Sequence, residues 1–428
     1  MWCAKSNVMD AVVFALCDLD AFYVSVEQVF APGLRGRPVL VLSNNDGCTI
    51  SRSSEAKALG IRMGQPAHEL AEYVRGSGLV MRSANFTLYG DMSRRVMSIL
   101  RDALPQVEQY SVDESWLNFT GVPDRVAFAQ ELRERVHRWT GLANCIGLGP
   151  TKTVAKLSNR LAKRGAGVVD LSDAGDRAAA LEDFPVEDVW GVGQRSTTKL
   201  ASMGITTAAQ LRDAPADLIL SRFGVVMART QRELQGHACM SLEDIEPDRK
   251  QIMVSRSFGS RVEDPTAVAQ AISTFTVRAC EKMRTRGLAA GAVWVFANTD
   301  VNRPELKQHH PSRALTLPYA TQDTSLVLGA VRSMLDNLLR KGCGYKRAGV
   351  ALMDLARPED LQSDLFGSPL QGNEKLMVTL DRINQKFGRG TAGFASTGWK
   401  EAPAWGMRQK NLSACFTTRW ADIPSVVC

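Results

Sequence analysis

The order in which helical and strand patterns follow one another constrains this fold more than any other feature. "VVFAL" reads as a buried strand, "TLYGDMSRRVMSILRDAL" as an amphipathic helix and "VEQYSV" with "SWLNFT" as a hairpin. "DRVAFAQELRERVHRWTG" then reads as a second helix and "ANCIGLG" as a closing strand. This is a β-α-β-β-α-β series with a long insertion after its first strand. In the ferredoxin-like arrangement that the series implies, the third strand lies beside the first and antiparallel to it. The end of strand one then meets the hairpin tip. The same order recurs from "QIMVSRSFG" to "YKRAGVALMDL", so an α+β chain with two such units is expected.

Strand one ends in "LCDLDAFY" and the hairpin carries "YSVDES", which brings Asp18 close to Asp113 and Glu114. Three converging carboxylates repel and raise one another's pKa unless a cation neutralises them. Mg²⁺ suits such a site, with hard oxygen ligands and positions left open for water and substrate phosphates. Two such ions about 3.5 to 4 Å apart stabilise the attacking and leaving oxygens of an in-line phosphoryl transfer. A bare Asp-Glu is also ordinary turn chemistry. The third acid favours the metal site.

A chain of 428 residues with 45% hydrophobic content supports several cored domains and excludes a disordered, fibrous or disulfide-stapled class. No apolar run reaches the roughly 18 residues of a membrane span, so a cytoplasmic protein is expected. The nine cysteines form no C-x-x-C pair, which points to reduced, mostly buried thiols. The net charge of +7 permits a polyanionic partner. Within "TKTVAKLSNRLAKRGAGVV", Lys152, Lys156, Arg160, Lys163 and Arg164 form a basic helical stripe, which by pattern alone is a solvated face.

Three further segments carry chemistry. The insertion "RPVLVLSNNDGCTISRSSEAKALGIRMGQP" reads as a strand, a tight turn, a short strand and a helix opening with Ser51 to Ser54 and containing Lys57. That start suits a triphosphate, though a serine-rich cap explains most of the same letters. The "GVG" of Gly191 to Gly193, with Lys199 after it, fits a helix-hairpin-helix gripping a DNA phosphate, or a simple turn. Such a unit binds backbone rather than bases, with strong salt dependence. "ARPEDLQSDLFGSPLQGNEK" is a linker whose Leu365 and Phe366 need an apolar partner, and the basic, aromatic tail beyond it could bind single-stranded DNA.

"FALCDLDAFYVSVE", "NNDGCTISRSSEAKALGI", "YSVDES" and "GLGPTKTVAKLSNRLAK" resemble, in order and spacing, the Y-family translesion DNA polymerases. The resemblance runs through nearly the whole chain from about Val13 and is closest to the catalytic (UmuC-type) subunit of bacterial DNA polymerase V. Asp20 stands where that branch is expected to have Asn and looks like the polymerase IV branch. The family implies a palm over 12–170 with fingers inserted at about 24–82, and a helix-hairpin-helix thumb over 171–240. A ferredoxin-like little finger over 251–356, a linker over 357–374 with a clamp-binding peptide and an extension over 375–428 complete it.

The resemblance also implies roles. Asp18 and Asp113 bridge two Mg²⁺ ions, Glu114 completes the catalytic site, and the Leu19 carbonyl helps to hold the nucleotide ion. Tyr23, by pattern a core aromatic, becomes the steric gate under the incoming sugar. Ser51, Lys57 and Lys163 match triphosphate-contacting positions, while Ser54 stands where some members have tyrosine. Gly191, Gly193 and Lys199 contact DNA. Gln362, Leu365 and Phe366 of "QSDLF" dock on the sliding clamp, with Ser363 in place of a more usual leucine. Partners implied are primer-template DNA, dNTPs, the clamp, a processed UmuD-type dimer and the RecA filament. The implied activity is error-prone lesion bypass in the SOS response, in the bacterial cytoplasm and at the nucleoid when active. A stand-alone polymerase IV-like enzyme and a DNA- and clamp-binding protein with little catalysis are the alternatives.

Overall fold

The computed structural model describes residues 12–243, 249–360, 373–388, 390–398, 403 and 405–423. The described residues fall into two compact units, those within Met1–Ser43, Cys48–Glu246 and Asn411–Cys428, and those within Asn44–Gly47 and Pro247–Lys410.

Among its described residues the first unit contains the strands β1 (Phe14–Leu19), β2 (Val39–Leu42), β3 (Thr49–Arg52), β4 (Val80–Ser83), β5 (Val107–Gln109), β6 (Glu114–Asn118), β7 (Asn144–Gly149) and β8 (Val168–Asp170). The palm sheet runs β5-β6-β1-β7-β8. The hairpin's second strand, β6, is antiparallel to β1, as the element order requires, and β7 flanks β1 on its other side. Every residue of β1 is buried, which explains an apolar run without alternation. The helix Phe86–Ala103 starts because Asn85 accepts the Leu88 N–H. It then buries Leu88, Tyr89, Met92, Val96, Met97 and Leu100 at three- and four-residue spacing against the sheet.

On the other face lies the helix Lys152–Ala162, capped by Thr151. It approaches β7 so closely that a Cβ on Gly147 would lie 1.9 Å from the Asn159 backbone nitrogen. Asn159 uses that proximity: its Nδ2 donates to the carbonyls of Leu16 (3.1 Å) and Cys145 (2.8 Å), fixing the helix to β1 and β7. The inserted fingers form the sheet β3-β2-β4 over a core that includes Leu40, Leu42, Ile61 and Leu70. The thumb is a cluster of short helices with its own core around Leu181, Leu200, Leu211 and Leu234. It is tied to the palm by fully buried Glu233, which accepts from the Thr153 N–H and hydroxyl at 2.9 and 2.7 Å.

The second unit holds β9 (Gln251–Val262), β10 (Ala289–Thr299), β11 (Ser312–Thr321) and β12 (Tyr345–Ala356) in the order β11-β10-β12-β9, backed by helices Pro265–Thr285 and Thr324–Leu335. The element series is the expected one. Its strand order permutes that of the palm, leaving the first strand at an edge. The C-terminal extension opens as the helix Glu374–Phe387, where Asp381 accepts two hydrogen bonds from Arg284 at 2.7 and 2.8 Å. Its described residues 411–423 belong to the first unit. The seven described cysteines are all unpaired, and four are buried. Among the described residues, no helix is long and apolar enough to cross a membrane.

Candidate active site

Asp18 and Glu114 are direct partners across β1 and β6, and the Leu19 N–H donates to the Asp113 carbonyl at 2.9 Å. The paired acids are therefore held at the end of β1 and do not simply form a turn. Ser111 shapes the hairpin tip: its hydroxyl donates to the Asp113 carboxylate (2.6 Å) and accepts the Asp113 and Glu114 N–H groups. Asp18 is only 8% exposed. Burial and the neighbouring Glu114 push its carboxyl up to about 7, against the pull of Lys163.

Each acid has its own partner. Lys163 Nζ lies 2.5 Å from Asp18, and Lys156 Nζ lies 2.9 Å from both Glu114 oxygens. Lys156 also sits over the rings of Tyr110 and Trp190. The basic stripe is thus not simply a solvated face: Lys152 is buried and Lys156 half-buried, while Arg160, Lys163 and Arg164 stay exposed. Lys152, Lys156, Arg160 and Lys163 supply counter-charges, Lys152 being buried against Glu108 and Arg160 pairing with Asp188.

Tyr23 stands on the helix Phe22–Phe30, which follows Ala21 held in the left-handed region at φ 44°. That strained turn is clamped by Ser51, whose hydroxyl donates to the Ala21 carbonyl (3.2 Å) and accepts the Val24 N–H (3.3 Å). Ser51 lies on β3, and the helix after it begins only at Ser54, so the expected Ser51 helix start is corrected. Tyr23 is half-buried, stacked on Tyr89 at 4.6 Å and edge-on to Phe86 at 5.9 Å. Burial and, secondarily, Asp113 raise its phenol above the ordinary value. Tyr89 and Phe86 went unnoticed in the sequence, where their spacing reads only as a core face.

Residues 17–160 match the model described as the impB/mucB/samB family, and residues 249–365 match its C-terminal domain. Residues 374–426 match a domain of unknown function, DUF4113. The chain is 42% identical to the protein UmuC of Salmonella typhimurium over 96% of its own length and 99% of that relative. The chain belongs to the impB/mucB/samB family. MucB of Escherichia coli is 40% identical over 96% of this chain and 99% of its own. A DNA polymerase IV of Moorella thermoacetica is 30% identical over 87% of this chain and 93% of its own. The UmuC-type match is closer and longer, which decides between the branches that Asp20 left open. A solved Y-family DNA polymerase chimera shares the fold, with a TM-score of 0.64 at 18% identity over 81% of this chain and 99% of that one. As a member of the impB/mucB/samB family, the chain is a Y-family DNA-directed DNA polymerase of the error-prone translesion type, dependent on a divalent metal ion.

The acid set fits the divalent ion that the impB/mucB/samB family requires. Asp18, Asp113, Glu114 and the Leu19 carbonyl offer only hard oxygen donors, and the pairing lysines show a site that demands positive charge. Among the described residues, no three such side chains are gathered around one point, since each carboxylate faces Lys163, Lys156 or Ser111. An ion held by these residues would have to draw them from these partners. Lys57 is exposed on the short helix Ser54–Ala58. Gly191 adopts φ +88°, and Gly193 precedes the helix Gln194–Ala201, whose first N–H groups receive no side-chain cap. Lys199 instead donates to the Arg222 carbonyl at 2.6 Å. Gln362, Leu365 and Phe366 lie outside the described residues.

Proposed function

We propose that this chain extends primers past damaged template positions in the SOS response, with Mg²⁺ held by Asp18, Asp113, Glu114 and the Leu19 carbonyl. The observation that carries this reading is the cross-strand pairing of Asp18 with Glu114 beside the Leu19–Asp113 backbone bond. Bound there, the ions would supply polarisation of the α-phosphate of a dNTP and charge stabilisation of the attacking and leaving oxygens.

The protein's own groups do the rest. The three carboxylates orient the reacting atoms, and Lys163, once drawn from Asp18, places its charge beside the substrate phosphates, as does Lys57. Ser51 acts on the nucleotide only through the Ala21 turn that it clamps. Tyr23 presents its half-buried ring to the incoming sugar, so that a 2′-hydroxyl clashes. The uncapped start of Gln194–Ala201, with Gly191 and Gly193, grips duplex phosphates. Lys199 supports that hairpin from the Arg222 carbonyl. Gln362, Leu365 and Phe366 dock on the sliding clamp, and a UmuD-type dimer and the RecA filament are the accessory partners. The protein works in the bacterial cytoplasm, at the nucleoid.

Primer extension on an abasic-site template with Mg²⁺ and dNTPs tests this reading, comparing the wild type with Asp113→Ala/Glu114→Ala, with and without the accessory dimer and RecA filament. Extension by the wild type alone, dependent on the accessory proteins, is expected. No extension under any condition, with DNA binding intact, would leave only a DNA-binding role.

A further inference from the structure

The last described segment, 411–423, is built into the first unit by polar contacts that reach the aromatic pair beneath the active site. The Ser83 N–H donates to the Asn411 carbonyl and the Asn411 N–H to the Ser83 hydroxyl, both at 3.0 Å, so Leu412 pairs alongside Ser83, the last residue of β4, in an isolated parallel bridge. Asn85 Nδ2 donates to the Ser413 carbonyl at 3.0 Å and the Ala414 carbonyl at 3.2 Å, while its Oδ1 caps Phe86–Ala103. Phe416 stacks on Phe30 at 5.1 Å, planes 8° apart.

Ser413 makes the decisive contact. Its hydroxyl donates to Glu27 Oε1 at 2.8 Å, and the Tyr89 hydroxyl donates to the same oxygen at 2.8 Å. Glu27 is 2% exposed, and its nearest cation, Arg82, is 3.9 Å away. A buried carboxylate this far from full ion pairing depends on its hydroxyl donors. Tyr89 is one of those donors, and its ring is the surface on which Tyr23 stacks.

We propose that the segment 411–423 is a positioning strap for the sugar-discriminating tyrosine, acting from Ser413 through Glu27 and Tyr89 to Tyr23. The strap joins the helix that carries Tyr23 to the helix that carries Tyr89, so loss of the Ser413 contact loosens the stack that fixes the Tyr23 ring. Ser413 and Glu27 touch no substrate and set specificity through the two tyrosines. This inference rests on the reading of Tyr23 as the residue facing the sugar.

The test is the ratio of kcat/KM for a deoxyribonucleotide to that for the matching ribonucleotide, measured for the full-length protein with its accessory factors. Ser413→Ala and Glu27→Leu are expected to lower this ratio about fivefold, the equivalent of one hydrogen bond. Ser413→Thr and Glu27→Gln, which retain a donor and an acceptor, should keep it near wild type. Tyr23→Ala is run in parallel, and thermal melting verifies that each variant is folded. If Tyr23→Ala changes the ratio but folded Ser413→Ala and Glu27→Leu do not, the strap proposal falls and the Tyr23 reading stands. If Tyr23→Ala leaves the ratio unchanged, both fall.

Discussion

Asp18 and Glu114 face each other across adjacent antiparallel strands, and each is neutralised by a different lysine, Asp18 by Lys163 at the C-terminal cap of the helix Lys152–Ala162 and Glu114 by Lys156 within it. On the proposed reading, these lysines hold the places of charge that bound ions would take. Lys156→Met therefore removes a competitor for Glu114. In melting experiments without metal the variant is expected to lose roughly 1 kcal/mol, which is about 2–4 °C for a unit of this size. Added Mg²⁺ should then raise its melting temperature more than that of the wild type. Equal increments would mean that Lys156 does not compete with the ion.

Glu27 gives a pH signature. Burial raises its carboxyl above the ordinary range, against the hydroxyls of Tyr89 and Ser413 and the charge of Arg82. The folded protein thus holds this proton to a higher pH than the unfolded chain. The stability this confers is complete below the unfolded value and is lost as pH rises through the folded one. Glu27→Gln lacks the titration, so its melting temperature should gain on the wild type as pH is raised from the ordinary glutamate range into the neutral range. A constant difference across that range would contradict the assignment.

The approach of β7 to the helix Lys152–Ala162 makes Gly147 irreplaceable. A methyl group there meets backbone, not a flexible side chain. Gly147→Ala should cost about 3 kcal/mol in denaturant unfolding. A loss near zero would mean that the helix can withdraw without breaking the Asn159 bonds.

The linker peptide lies outside the described residues and rests on its sequence alone. Leu365→Ala with Phe366→Ala should abolish capture on immobilised sliding clamp while primer extension without clamp persists. Retained capture would place the contact elsewhere in the chain.

The palm and its acid pair were legible because a β-α-β-β-α-β series leaves few ways to place its third strand, and the end of β1 follows from that placement. Local patterns did not reveal what arrives from far away. The basic stripe was visible, but its partners Glu108 and Glu114 lie 44 and 42 residues from Lys152 and Lys156. Ser51 read as a phosphate-facing hydroxyl at a helix start because serine runs resemble caps, yet β3 continues through Arg52. The Glu27–Ser413 bond spans 386 residues and joins two letters that look like ordinary surface polarity. The strand order of the second unit was equally hidden, since the same element series admits both arrangements.

The central claim is that Asp18 acts with Glu114 at the reacting phosphate and does not merely stabilise the sheet edge. Single-turnover insertion opposite an undamaged template base, with DNA affinity measured alongside, tests it in Asp18→Asn, which keeps the size of the side chain. The account predicts a rate at least about 10²–10³-fold below wild type with unchanged DNA affinity. A rate close to wild type in the folded, DNA-binding variant would contradict it.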